Sequence, residues 1–274
     1  MNEELDVQPG LVIDLLVRFL RAEAGKFGFG RALLGLSGGI DSAVSAALAV
    51  RAFGPRNVLS VLMPYRTSNP DSEADAREVA TELDTPSRKV EISAMADGYL
   101  AQEGIDDRMR RGNVMARCRM IVLYDLSMEW RGLVIGTSNK TEILLGYSTQ
   151  FGDAASALNP LGDLYKHQVY QLAEHLDLPP CVRDKAPSAD LFEGQTDEDE
   201  LGFGYAEADR LLHLLVDKRY SERDLLAAGF DAELIRTVVR RVAGNQYKRL
   251  PPIIAKLSQR SVNHDFRYLR SWGR

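Results

Sequence analysis

The sequence predicts an α/β protein with a doubly wound parallel sheet, that is, a sheet covered by helices on both faces. Short apolar runs recur along the first half of the chain and indicate buried strands, and longer stretches with helical periodicity follow them. Strands that alternate with helices favour a parallel sheet. We expect a single domain over 1–274, with an α/β core over about 10–185 and a helical C-terminal part over about 200–260.

The elements follow in order from local signals. Apolar residues at helical spacing predict the helices, and short β-branched or leucine-rich runs predict the strands; Pro64 ends the second strand, and the polar turn 68–72 is typical of a helix start. The predicted strands are 32–36, 58–63, 88–92 and 132–136. The predicted helices are 11–24, 43–52, 73–83, 93–102, 114–130, 166–176, 205–216, 222–228 and 232–243.

The composition argues against several classes of protein. The 274 residues are 45% hydrophobic and 27% charged, which is ordinary for a globular protein, and the net charge of −5 argues against a nucleic-acid partner. No apolar run approaches the ~20 residues of a membrane span. The two cysteines, Cys118 and Cys181, are too few for a disulfide framework. Because the acidic start of the chain has no signal-peptide character, we expect a cytoplasmic location.

The stretch 35–42, Gly-Leu-Ser-Gly-Gly-Ile-Asp-Ser, lies between the first strand and the second helix. Glycines there let a ligand approach the main chain, and the free N–H groups of a helix start favour an anion. Three interpretations compete: a pyrophosphate-binding loop, a G-x-S-x-G hydrolase elbow, and an ordinary glycine-rich turn. A Walker A loop is excluded, because no G-x-x-x-x-G-K-[ST] is present.

Two acidic residues follow the ends of predicted strands. Asp41 lies in the glycine loop, and Glu142 ends the polar turn 137–142 after the fourth strand. Because ligands bind beyond the carboxyl ends of parallel strands, both should reach one cleft. Mg²⁺ is commonly held by one or two carboxylates together with substrate phosphates. Taken alone, Glu142 is also explained as a solvated helix residue.

Two irregular stretches interrupt the second half of the chain. The stretch 146–162 is rich in Gly, Ser, Ala and Asn without periodicity, and 185–191 together with the acidic 196–200 forms the second. Loops of this length are usually functional lids or disordered segments. The acidic run 196–200 within the second stretch is predicted to be a solvated face.

Several segments together resemble one family. They are SGGIDSA at 37–43, N-x-x-x-R-x-R-M at 113–120, IGTSNKTE at 135–142, FGD at 151–153, NPLGDLYK at 159–166 and KAPSADL at 185–191. In this order they resemble ammonia-dependent NAD⁺ synthetases of the ATP pyrophosphatase, or PP-loop, superfamily, over about 13–257. The resemblance implies that the carboxylate of deamido-NAD⁺ attacks the α-phosphate of ATP, pyrophosphate leaves, and ammonia then displaces AMP.

The same resemblance implies roles for particular residues. The implied catalytic residues are Asp153, which would hold or deprotonate ammonium, and Lys166. The implied metal ligands for Mg²⁺ are Asp41 and Glu142. The implied ATP contacts are Gly35, Leu36, Ser37, Gly38, Gly39, Ile40, Asp41, Ser42, Thr137, Lys166 and Ser188. The implied deamido-NAD⁺ contacts are Arg117, Gln150, Ala157, Tyr247 and Lys248.

Residue types alone leave simpler explanations open for several of these residues. Lys166 and Lys248 are also explained as solvated charges, Arg117 as part of a surface ion pair, and Asp153 as a residue that structures its loop. The sequence departs from the family pattern at Gln150, Ala157 and Tyr247, where many members have Lys, Asp and His. These departures concern the dinucleotide contacts rather than ATP.

The source of ammonia and the assembly state are further expectations. Glutamine-using relatives carry an amidase domain before the synthetase, but only about 30 residues precede the first strand here, far below the size of a domain. We expect free ammonia as substrate unless a separate glutaminase delivers it. The resemblance also implies a homodimer, with the 11–24 and 114–130 helices as candidates for the interface.

Two other functions stay open at this stage. One is another adenylating amidotransferase or a tRNA-thiolating enzyme of the PP-loop superfamily, although the paired reactive cysteines and basic face needed for thiolation are missing. The other is a nucleotide-binding regulator without turnover.

Overall fold

The computed structural model describes residues 3–187 and 197–262. Among these residues the sheet has four strands, β1 (Ala32–Gly35), β2 (Val58–Leu62), β3 (Ser87–Lys89) and β4 (Leu133–Val134). The helices of the α/β core are α1 (Pro9–Gly25), α2 (Ile40–Phe53), α3 (Pro70–Glu82), α4 (Ser93–Gln102), α5 (Arg108–Trp130), α6 (Lys140–Leu145), α7 (Lys166–His175) and α8 (Pro180–Arg183). The helices after residue 196 are α9 (Asp197–Leu201), α10 (Tyr205–Leu212), α11 (Glu222–Ala227) and α12 (Ala232–Gly244).

The sheet is parallel throughout and has the strand order β3-β2-β1-β4. The chain runs outward from β1 through β2 to β3 and then crosses to β4 on the other side of β1. In the register of the sheet, Leu33 of β1 lies between Leu59 of β2 and Val134 of β4. The strand order therefore reverses between β1 and β4, and a crevice at such a point is where ligands bind in open α/β sheets.

Both faces of the sheet are covered by helices, which confirms the predicted fold class. Side chains alternate along a strand, so Leu34 packs on the face covered by α1, α2 and α7, whereas Leu33 packs on the face covered by α4 and α5. The helices after residue 196 form a third apolar cluster, and the core contributes Leu145 of α6 and Tyr165 to it. These two core residues join the C-terminal helices to the α/β core.

The predicted elements are all present, and their boundaries differ for local reasons. Helix α5 begins six residues early, at Arg108, because the side chain of Asp107 caps it by accepting a hydrogen bond from the backbone N–H of Arg110 at 2.7 Å. Strand β4 is shorter than predicted, since Ile135 pairs instead with Leu158 of the long loop in an isolated bridge. The predicted 205–216 helix is α10 followed by a π-helical turn, His213–Asp217.

The long stretch 146–162 is irregular, as predicted, with turns and the single bridge at Leu158. Ser188 and most of the second irregular stretch, 188–196, lie outside the described residues. None of the described helices combines the length and the apolar character needed to cross a membrane.

Candidate active site

A cleft of about 1420 Å³ opens at the carboxyl ends of β1, β2 and β4. It extends from the glycine loop to the 146–153 segment and the end of α12. Most of the predicted site residues line it: Gly35, Leu36, Ser37, Gly39, Ile40, Asp41, Ser42, Arg117, Thr137, Glu142, Gln150, Asp153, Lys166, Tyr247 and Lys248. The fold thus brings together residues that are more than 200 positions apart in the sequence.

The glycine loop requires glycine at one of its two central positions. Gly38 has a φ of +78°, and a Cβ there would lie 2.2 Å from the backbone oxygen of Ser72 in α3. Gly39 is extended, and the nearest atom to a Cβ there, the Ser37 Oγ, is 3.4 Å away. Gly38 is therefore needed both for its conformation and for the close approach of α3.

The loop is also braced by its serines. The Ser42 hydroxyl donates to the Gly39 carbonyl oxygen at 2.9 Å and accepts from the Ser37 N–H at 3.2 Å. The two serine Oγ atoms are 3.1 Å apart. Ser42 is buried and its hydroxyl shapes the loop, and because it also lines the cleft, its ATP contact stays a prediction.

Three charged side chains meet where α2, α6 and α7 begin. The Lys166 Nζ lies 2.5 Å from the Asp41 Oδ2 and 3.7 Å from the Glu142 Oε1. The side chain of Lys166 is 3% exposed, and those of Asp41 and Glu142 are 17% and 16% exposed. Lys166 is therefore a buried partner of both carboxylates, and the simpler explanation of a solvated lysine is wrong.

Asn139 completes this cluster, and sequence reasoning missed it. Its fully buried side-chain amide donates to the Asp41 Oδ1 at 2.9 Å and to the Glu142 Oε1 at 2.8 Å. Its Oδ1 accepts from the Glu142 N–H, and the Glu142 Oε2 accepts from the Asn139 N–H, which forms a capping box at the start of α6. The Asn-x-x-Glu spacing was a visible signal for the cap, but not for the contact with Asp41, which lies 98 residues earlier.

Two members of the cluster, Glu142 and Lys166, have shifted pKa values. Burial and the Asp41 carboxylate raise the pKa of Glu142, against the opposing effect of Lys166. Burial alone would lower the pKa of Lys166, but Asp41 and Glu142 outweigh it, and the pKa is raised. Lys166 is therefore protonated at neutral pH, whereas the raised pKa of Glu142, about 8, favours its neutral form there.

Asp197 is a further carboxylate beside this cluster, and it corrects the prediction that the acidic run is a solvated face. Residues 198–200 are exposed, but Asp197 is 4% exposed and lines the cleft. It accepts hydrogen bonds from the hydroxyls of Tyr147 and Tyr205, each at 3.0 Å. The ring of Tyr205 lies 5.0 Å from the Lys166 Nζ. Nothing in the local sequence distinguishes Asp197 from its acidic neighbours.

Asp153 also lines the cleft, from the irregular 146–162 stretch. Its Oδ1 accepts from the Thr149 N–H at 2.8 Å, so it does structure its loop. The side chain is exposed but lines the cleft. Desolvation by the surrounding protein raises the pKa of the carboxyl, against the opposing hydrogen bonds from the backbone N–H groups of Thr149 and Asp153 and the charges of Lys248 and Arg119. A carboxylate with a raised pKa is a better proton acceptor.

The predicted dinucleotide contacts line the same end of the cleft, with one exception. The Arg117 guanidinium donates to the backbone oxygen of Gln150 at 3.3 Å, and the Lys248 ammonium donates to the backbone oxygens of Gly146 and Ser148, both at 2.7 Å. Ala157 is exposed but is absent from the described lining of the cleft. The ATP contact predicted for Ser188 lies outside the described residues.

A parallel sheet with a glycine loop at its switch point, and with carboxylates and a lysine gathered at the adjacent helix starts, defines a nucleotide-binding α/β protein of the PP-loop class. The family model described as NAD synthase matches residues 12–252. The chain therefore belongs to the NAD synthase family.

Relatives and solved structures agree with this assignment. The chain is 53% identical to the NH(3)-dependent NAD(+) synthetase of Chlorobium phaeobacteroides over 99% of both chains. It is similar to the NH3-dependent NAD synthetase of Campylobacter jejuni, with 33% identity and a TM-score of 0.79, and to the NMN synthetase of Francisella tularensis, with 32% identity and a TM-score of 0.81. Each comparison covers 92% of this chain and 100% of the solved chain.

Proposed function

We propose that this protein catalyses the ATP-dependent amidation of deamido-NAD⁺ to NAD⁺ with ammonia, through an adenylated intermediate, and releases AMP and pyrophosphate. The observation that carries the proposal is the meeting of Asp41, Glu142 and Lys166 in one cleft beside the glycine loop. The similar chains from Chlorobium and Campylobacter that are named as NH3-dependent synthetases support the same activity.

In the first step, the nicotinate carboxylate of deamido-NAD⁺ attacks the α-phosphate of ATP and pyrophosphate leaves. A phosphoryl transfer of this kind needs alignment and charge neutralisation more than a protein nucleophile. The start of α2 and the glycine loop would bind the phosphates, since a helix N-terminus favours anions. Lys166 would carry a positive charge beside them, because its pKa is raised. It would stabilise the negative charge of the leaving group.

In the second step, ammonia attacks the acyl carbon of the adenylate and AMP leaves. Ammonium has no free lone pair, so a base must take one of its protons before the attack. We assign this role to Asp153, whose raised pKa favours proton uptake and whose side chain lines the same cleft as Lys166.

Mg²⁺ is the metal that we assign to this site. Asp41 and Glu142 are hard oxygen donors that share a single lysine, and two carboxylates plus substrate phosphates make up the donor set that Mg²⁺ prefers. No group of three or more His, Cys, Asp or Glu is arranged to hold a metal among the described residues, so the phosphates would supply the remaining oxygens. When bound, the ion would neutralise charge on the triphosphate.

Free ammonia is the nitrogen source that we propose. The chain matches the Chlorobium NH(3)-dependent synthetase over 99% of both lengths, whereas it covers 49% of the glutamine-dependent NAD⁺ synthetase of Acinetobacter baumannii, at 30% identity and a TM-score of 0.67. We keep delivery by a separate glutaminase as an alternative source.

We also propose a homodimer in the cytoplasm. Exposed apolar residues on the two helices named for the interface support the dimer: Leu11 and Leu15 of α1, and Ile121, Tyr124 and Met128 of α5. Both cysteines are free thiols, which agrees with a reducing compartment. Analytical ultracentrifugation of the purified protein tests the dimer, and a monomer at micromolar concentration would refute it.

The test of function is a pyrophosphate-release assay with ATP, Mg²⁺, ammonium and deamido-NAD⁺, with NAD⁺ measured in parallel. Release that depends on deamido-NAD⁺, with equal amounts of NAD⁺ formed, supports the proposal. Nicotinate mononucleotide is the second acceptor to test, because the similar chain from Francisella is named an NMN synthetase. Release with another acceptor alone would indicate another adenylating amidotransferase, and ATP binding without turnover would indicate a regulator.

A further inference from the structure

A buried carboxylate outside the cleft joins the two helix starts that carry the charged cluster. Asp209 of α10 is fully buried. Its Oδ1 accepts from the Thr141 hydroxyl at 2.5 Å, and its Oδ2 accepts from the backbone N–H of His167 at 2.8 Å. Thr141 is the second residue of α6 and His167 is the second residue of α7. One side chain from the C-terminal helices thus contacts the first turn of both.

A third hydrogen bond closes the arrangement. The Thr141 hydroxyl accepts from the backbone N–H of Lys166 at 3.1 Å while it donates to Asp209. Two successive N–H groups of the first turn of α7 are therefore satisfied by Thr141 and Asp209. First-turn N–H groups have no partner inside their own helix, so these two contacts act as a cap supplied from elsewhere in the fold.

The contacts of Asp209 lie directly beside two members of the cluster. Glu142 follows Thr141 in α6, and Lys166 precedes His167 in α7. A shift of either helix start would change the distances from the Lys166 Nζ to Asp41 and Glu142, now 2.5 Å and 3.7 Å. Asp209 itself is not among the described residues that line the cleft.

Because Asp209 is buried, its carboxylate depends on hydrogen-bond donors from the starts of both α6 and α7. A carboxylate in a low-dielectric interior is costly unless its lone pairs accept hydrogen bonds, and here the donors are a side chain of α6 and the backbone of α7. The charge also faces the positive end of the α7 dipole. These compensating contacts exist only when both helix starts are in their present register, so the carboxylate fixes their relative placement.

We propose that Asp209 is a positioning residue: it sets the starts of α6 and α7 so that Lys166 and Glu142 are aligned for adenylation, without touching the substrate. The inference rests on the proposed function, because it needs turnover to be seen. The competing explanation is that Asp209 only attaches the C-terminal helices to the core.

The test compares Asp209→Asn in two backgrounds, the wild-type protein and Lys166→Arg. Asparagine keeps the acceptor for Thr141 but presents an NH₂ group to the His167 N–H. We expect kcat for AMP formation to fall roughly 10- to 100-fold in the wild-type background, since displacements of about 1 Å can cost 10²-fold. We expect the KM values for ATP and deamido-NAD⁺ to stay within about threefold, because Asp209 contacts neither substrate directly. In the Lys166→Arg background the same change should cost less than about twofold, because the alignment is already lost.

Two further variants support the Asp209→Asn test: one removes the same contact from its other side, and one is a control for lowered stability. Thr141→Val removes the hydroxyl without changing the volume and should reproduce the loss of kcat even if Asp209→Asn folds poorly. Leu225→Ala leaves a cavity in the C-terminal apolar cluster, on α11 rather than on α6, α7 or α10, and should lower the melting temperature with normal kcat. An equal fold-loss in both backgrounds, or a Leu225→Ala protein that loses kcat in proportion to its melting temperature, would overturn the positioning role. Because the wild-type protein must first turn over, failure of the proposed function would be seen separately.

Discussion

The two ends of the cleft are built differently. At the nucleotide end, Asp41, Glu142 and Lys166 are nearly buried and are held by one another and by Asn139. At the other end, the side chains of Arg117 and Lys248 bind backbone carbonyls of the irregular 146–162 stretch. The first end rests on three helix starts fixed by the sheet, and the second rests on a loop.

This difference indicates that the two ends contribute differently to turnover and to substrate affinity. Side chains fixed before substrate arrives lose little entropy in the reaction, and preorganised charge of this kind lowers a barrier. A loop, by contrast, can adapt to a large and varied substrate. We therefore expect substitutions at the nucleotide end to change turnover, and substitutions of Arg117 and Lys248, which bind the loop, to change substrate affinity.

The largest effect is expected for Asp41→Asn. Loss of one preorganised charge contact should lower kcat by roughly 10²–10³. Steady-state assays of AMP formation measure this, with Asp14→Asn on the exposed face of α1 as the control. Near-normal turnover in Asp41→Asn would refute both the metal-ligand role and the contrast between the two ends.

Asp153→Asn tests the comparison further, because Asp153 lies in the loop but is the proposed general base for ammonium. We expect the ammonia-dependent step to slow by about 10²-fold, the contribution typical of a general base, while adenylation changes less. Rapid-quench measurements of pyrophosphate and NAD⁺ separate the two steps over a range of ammonium concentrations. An equal loss in both steps would count against Asp153 as the ammonium site.

Gly38→Ala tests whether the nucleotide end depends on backbone shape. The positive φ and the approach of a Cβ to the Ser72 oxygen should lower the free energy of unfolding by about 2 kcal/mol. Gly39→Ala is the matched control and should change it by less than about 1 kcal/mol, since Gly39 is extended with room for a methyl group. Urea denaturation measures the free energy of unfolding of both variants. Equal losses would show that the close approach of a Cβ to the Ser72 oxygen does not destabilise Gly38→Ala.

The smallest effect is expected for Lys248→Met at the loop end. Removing the two hydrogen bonds to Gly146 and Ser148 should loosen the loop and raise KM for deamido-NAD⁺ by about tenfold, with little change in kcat or in KM for ATP. Lys218→Met, an exposed lysine outside the cleft lining, serves as the control. A fall in kcat with unchanged KM would contradict the division proposed for the two ends.

Much of the fold was predictable because its signals are local. The apolar run of β1, the glycine loop and the amphipathic α1 each depend on neighbouring residues, and the structure confirms them. Asp41 and Glu142 were also predicted to share a cleft, since parallel strands end at one edge of the sheet. The bond between Asn139 and both carboxylates confirms that they are close.

The features of the site that could not be predicted depend on contacts between segments that are distant in the sequence. Asp209 and Asp197 look like ordinary helix acids in the sequence, and only the packing of the C-terminal helices buries them. The same packing decides that Lys166 is a buried cation rather than a solvated one. Residue type and spacing do not predict these long-range contacts, because the contacts depend on how helices and strands pack against one another.

The wide sequence separation inside the charged cluster has a consequence for biosynthesis. The Asp41–Lys166 pair spans 125 residues, and the Asp209–Thr141 bond spans 68. Contacts of high contact order close late, because the entropy of a large loop must be overcome first. As the ribosome extends the chain, β1, α2 and β2 emerge well before α7 and α10. Asp41 therefore has no cationic partner until α7 has emerged, and the contacts of Asp209 with the starts of α6 and α7 form last, when α10 packs against these two helices.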